Sequence, residues 1–196
     1  MAAAETLLHL ITGSAVPDEG SVRVAGRDTR DIATDTEWLT SLDRFGIVTA
    51  RAVLIGALPI AANLALPLTL SIDPMSSETR SAVERLAEAV GLPRERLNAA
   101  ASTLTPSELV RIHLARALAT QPQLLLLEHP TAGIDDPGVS REVGHILRRA
   151  AEGGNLGWLA LTDDRELARA AGARRLRLKP ATGEVVSDHF WQRWVT

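Results

Sequence analysis

Apolar positions recur with a helical period in some stretches of the chain and with a strand period in others, and the changes of period delimit its elements. Residues 6–12 read as a short helix closed by Gly13. A Pro17-Asp18-Glu19-Gly20 turn follows, then an alternating strand through Val22 and Val24. Residues 35–42 predict a helix and 45–48 a short apolar strand. Ser76 or Ser77 opens a helix with Val83, Leu86, Ala87 and Val90 on one face, ended by Gly91 and Pro93. Thr105-Pro106-Ser107-Glu108 forms a capping box with proline at the first helical position. It launches a helix whose inner face includes Val110, Leu114, Ala117 and Leu118 and whose limit is Pro122. Consecutive leucines within 123–128 mark a strand covered on both faces. Asp136-Pro137 starts another helix, with Val139, Val143, Ile146 and Leu147 inward. Residues 156–162 then read as the next buried strand and 163–171 as the next helix. Residues 175–178 and 184–186 read as a hairpin around Thr182-Gly183. Strands alternating with helices predict an α/β fold, a mostly parallel sheet flanked by helices.

One stretch breaks this alternation. Residues 52–72 carry no charge and are long enough to cross a bilayer, but Gly56, Pro59, Asn63 and Pro67 divide them into pieces too short for a regular span. The expectation is a loop and short helix with an unusually apolar surface. Residues 1–15 lack the basic start of a secretory signal, so the expected location is cytoplasmic.

Composition narrows the function classes. The 196 residues suit one domain, 1–196, with no internal repeat or low-complexity linker. A net charge of −3 gives no footprint for nucleic-acid binding; Arg174, Arg175, Arg177 and Lys179 flank or face outward from a short strand. Without cysteine there is no disulfide, thiolate nucleophile or zinc-thiolate site. The histidines show no i, i+4 pairing with one another and no Cys or Asp neighbours at metal-ligand spacing, so no metal site is expected. The glycines at 153, 154 and 157 precede a strand instead of following one, the wrong context for a dinucleotide loop. Phe190, Trp191 and Trp194 read as a packed C-terminal helix or, if exposed, a partner surface.

Five pieces in order carry a resemblance. They are Thr6-Leu-Leu-His-Leu-Ile-Thr-Gly13, Pro17-Asp-Glu-Gly-Ser-Val-Arg-Val-Ala-Gly26, Asn63-Leu-Ala-Leu-Pro67, Leu114-Ala-Arg-Ala-Leu-Ala119 and Gln121-Pro-Gln-Leu-Leu-Leu-Leu-Glu-His-Pro-Thr-Ala-Gly-Ile-Asp135. Together they resemble the ATP-binding cassette (ABC) ATPase domain across nearly the whole chain. Asn63-Leu-Ala-Leu-Pro67 is most similar to the lipid, lipoprotein and macrolide exporter branch. The resemblance implies a P-loop NTPase-like nucleotide lobe, a small helical and signature lobe at 72–120 that contacts a membrane permease, and head-to-tail dimers enclosing ATP.

Every catalytic and phosphate-binding position implied by the resemblance is altered here, and the dimer-interface aspartate is kept. The phosphate loop falls at the start of the chain, on Ala3, Ala4, Glu5 and Thr6, with Ala4 at the lysine position and Glu5 at the magnesium-binding hydroxyl position. A first-turn carboxylate suits a helix dipole and repels polyphosphate. The only other place for a lysine is Lys179. The glutamine position falls on Ala50. The signature that clasps the γ-phosphate of a partner's ATP falls on Thr105, Ser107 and Glu108; Pro106 removes one donor, and the Thr105 hydroxyl and Ser107 N–H remain. These residues also read simply as a good helix start. The magnesium-associated aspartate becomes Glu128, the weak metal candidate, and the catalytic glutamate becomes His129; both also read as a solvated strand end. Asp135 keeps the aspartate of the dimer-interface loop, or caps the next helix in competition with Asp136. The switch histidine becomes Asp163, which makes a capping box with Glu166.

The leading expectation is therefore a degenerate ABC ATP-binding-subunit-like protein, a pseudoenzyme acting as scaffold beside a permease or a competent ATPase. It would be peripheral to the membrane through that partner. No cofactor is expected for the isolated chain, with ATP and Mg only if shared with a partner subunit. Two alternatives stand beside it: an active transporter ATPase whose N-terminal phosphate loop is missing from this chain, and a soluble homodimeric interaction or regulatory protein. The loss of the strand before the phosphate loop predicts an unpaired sheet edge.

Overall fold

A computed structural model describes residues 2–49, 52–179, 181–182 and 184–187. Ala50, Gly183 and the aromatic positions 190, 191 and 194 lie outside them.

The first helix, α1 (Ala2–Thr12), begins four residues earlier than the sequence pattern predicts. Alanine has the highest intrinsic helix propensity, so Ala2, Ala3 and Ala4 extend the helix through the positions assigned to the phosphate loop. Gly13, with φ +71°, ends it. The single strand expected through Val22 and Val24 is instead a hairpin of β1 (Arg23–Val24) and β2 (Arg27–Asp28). Ala25 and Gly26 turn it, both at positive φ, the two-residue geometry that matches strand twist. The helix α2 (Asp35–Leu42) is capped by Thr34, and β3 (Phe45–Val48) follows.

The charge-free run forms a loop and α3 (Ile60–Ala65), all of it buried. Next come α4 (Ser77–Ala89), capped by Ser76, and α5 (Pro106–Ala119), whose capping box is present in full. Helices α3, α4 and α5 pack on one another. Then follow β4 (Leu124–Glu128), α6 (Pro137–Glu152), β5 (Gly157–Leu161) and α7 (Arg165–Ala170), and last the hairpin of β6 (Leu176–Leu178) and β7 (Val185–Ser187).

The central sheet has the order β3-β4-β5, all parallel. Leu125, Leu126 and Leu127 in its middle strand are fully buried, as a strand covered on both faces requires. One apolar core runs from α3, α4 and α5 through β4 to α6 and α7. Gly46 lets α5 approach β3: a Cβ there would lie 2.4 Å from the Ala117 carbonyl oxygen.

Two expectations need correction. The strand at β5 is half-buried, not buried, because it is a sheet edge whose ladder partner among the described residues is β4 alone. The last core helix begins at Arg165, and its cap is Asp164, which accepts from the Leu167 N–H at 2.9 Å; Asp163 is exposed and does not cap it.

Candidate functional site

In a parallel sheet the loops at the C-terminal strand ends form the natural ligand crevice. Here the ends of β4 and β5 open onto a cavity of about 230 Å³, bordered by His129, Thr131, Gly133, Thr162, Asp163 and Asp164 among others. Two residues singled out in sequence, His129 and Asp163, thus meet at one cavity although they lie on different strand ends. His129 leaves β4 with φ +45°, a left-handed conformation unusual for a residue with a Cβ. Its N–H donates to the Leu161 carbonyl at 2.8 Å and its carbonyl accepts from the Ala132 N–H at 3.0 Å, so the chain turns sharply over the sheet end. Glu128, half-buried, stands opposite Leu161 at the last register position of the sheet.

A polar cluster at this cavity centres on Asp164. Its Oδ2 accepts from the Thr131 hydroxyl at 2.6 Å and the Ser140 hydroxyl at 2.5 Å, while Oδ1 caps α7. Burial works against ionisation of this carboxyl, but the Leu167 N–H and the two hydroxyls outweigh it and hold its pKa below the ordinary value. Thr131, Ser140 and Asp164 are far apart in sequence, and no local spacing signals their meeting. Asp135 is exposed; the neighbouring Asp136 caps α6, accepting from the Gly138 N–H at 2.7 Å.

The signature positions lie at the start of α5. Glu108 reaches back to the Thr105 N–H at 2.9 Å, the Thr105 hydroxyl accepts from the Glu108 N–H at 3.3 Å, and Pro106 has no N–H to give. Arg96, which no local spacing connects with this helix, donates to both Glu108 oxygens at 2.7 and 3.1 Å. That guanidinium, before burial and the Thr105 contacts, governs the carboxyl and holds its pKa down to about 2. A carboxylate therefore occupies the anion-favouring end of the helix. Ser107 contributes its N–H at the second helical position, where no partner within the helix exists.

At the third place, Ala3, Ala4, Glu5 and Thr6 all fall within α1, with Glu5 in its first turn. Lys179 is far along the chain in the final hairpin, paired with Glu184 at 2.8 Å. Among the described residues no three His, Asp or Glu side chains converge as a metal-binding group.

A sequence model of the ABC transporter family matches residues 5–132, about two thirds of the chain. The chain belongs to the ABC transporter family. Among its relatives are the macrolide export ATP-binding/permease protein MacB 1 of Aeromonas hydrophila, 32% identical over 184 residues, and the lipoprotein-releasing system ATP-binding protein LolD of Pseudomonas syringae, 31% identical over 174 residues. These alignments cover 93% and 89% of this ABC-family chain. It spans 27% of the length of the MacB relative and 75% of that of LolD. The solved dimer of the ATP-binding cassette MJ0796, in a post-hydrolysis state bound to ADP and Pi, superposes with a TM-score of 0.67 at 27% identity, covering 85% of this chain and 72% of that one. The fold is thus the α/β P-loop NTPase type of ABC ATPases.

Proposed function

We propose that this ABC-family chain is a degenerate ATP-binding-type subunit. It neither binds ATP tightly by itself nor hydrolyses it, and it serves as a scaffold beside a permease or a competent ATPase subunit. The observation that carries this reading is Glu108, fixed by Arg96 and Thr105 at the start of α5. Its charge opposes phosphate where the family pattern clasps it, and the helix donor it bonds is no longer free. Glu5 in the first turn of α1 repeats the same conflict at the phosphate-loop position, and no lysine lies there to offset it. The residues present therefore do not fit ATP and Mg as a self-sufficient site, so no hydrolytic step is derived through them.

A membrane-protein partner is supported by the loop ahead of α3. Val53 is 79% exposed, and Ile55 is also exposed. The loop that presents them is pinned: Arg116 donates to the Val53 carbonyl at 2.9 Å and Asn63 holds both backbone groups of Ile55. In this reading the 72–120 lobe of a single 1–196 domain faces the partner. No helix among the described residues is long and apolar enough to cross a membrane itself. The outer side of β5, which has no ladder partner among the described residues, favours a second reading, an active ATPase in which a phosphate-binding segment from outside these residues completes the sheet.

Thermal unfolding of the full-length protein with and without millimolar Mg-ATP, together with a phosphate-release assay, separates the two. A ligand at about 100 times its Kd stabilises by about 2.7 kcal/mol. The proposal expects no upward shift and no phosphate release; a clear shift overturns it. Co-purification of a permease or a second ATPase with the tagged chain is the expected partner result, and recovery of a homodimer alone would favour a regulatory role.

A further inference from the structure

We draw no further inference here: the strongest candidate, the outer edge of β5, where Trp158 and Ala160 have no ladder partner among the described residues and neither a charge nor a proline guards the strand, carries nothing because nothing in the structure shows what covers it.

Discussion

Asn63 is a polar residue in the most apolar part of the chain, and its side chain is fully buried. Its Oδ1 accepts from the Ile55 N–H at 2.9 Å, and its Nδ2 donates to the carbonyls of Ile55 at 3.1 Å and Pro59 at 3.2 Å. Sequence alone marks it as an interruption of an apolar run; the structure shows it to be the fastening of that run. Replacing it by alanine leaves the Ile55 N–H without a partner inside the protein, while the Ile55 carbonyl keeps the Leu58 N–H at 3.0 Å, so Asn63→Ala is expected to cost about 1–3 kcal/mol. Urea denaturation measures this, and a loss below about 0.5 kcal/mol would mean that water or neighbouring loops replace the bonds. Asp164 shows the opposite relation between sequence and structure. An acidic residue just before the last core helix is readable as a cap, but Asp163 and Asp164 are equivalent by that criterion. The Thr131 and Ser140 hydroxyls, brought in by β4 and α6, engage Asp164.

At the scale of elements, α5 joins the signature positions to the core. Its start was legible because a capping box needs only residues three apart, and Thr105 and Glu108 make it as expected. The contribution of Arg96 was not legible, since it comes from a 3-10 turn, Arg94–Asn98, placed by tertiary packing. The pair gives α5 a pH signature. Glu108 has a folded pKa depressed to about 2, against an unfolded value near ~4.3. The stabilisation is therefore complete above the unfolded value and disappears as pH falls from about 5 toward 2. The side chains of Arg96 and Glu108 are 30% and 19% exposed, so solvent screening reduces the effect to roughly 1–2 kcal/mol. Glu108→Gln is expected to remove about half of that from the difference in unfolding free energy between pH 5 and pH 3. An identical pH dependence in parent and variant would show that the ion pair does not act on stability.

For the whole molecule, the decisive feature is which strand has a neighbour on each side. The Gly157 N–H donates to the Gln123 carbonyl and the Leu161 carbonyl accepts from the His129 N–H, so alternate residues of β5 bond toward β4. Trp158 and Ala160 consequently turn their backbone groups to the open side. Hydrogen exchange is expected to protect the amides of Leu125, Leu126 and Leu127 to the limit of global unfolding, with Trp158 and Ala160 exchanging at least about tenfold faster. Equal protection would mean that another segment or a second chain covers the edge. The chain's own residues determined the α/β alternation, the extents of β3 and α2, the capping box of α5 and the buried character of β4. Each of these follows from periodicity or from contacts within a few residues. Tertiary structure alone decided that β4 is central and β5 an edge, that Arg96 neutralises Glu108, and that His129 and Asp163 share a cavity. Those outcomes depend on which distant segments pack together, and local pattern carries no information about a partner dozens of residues away.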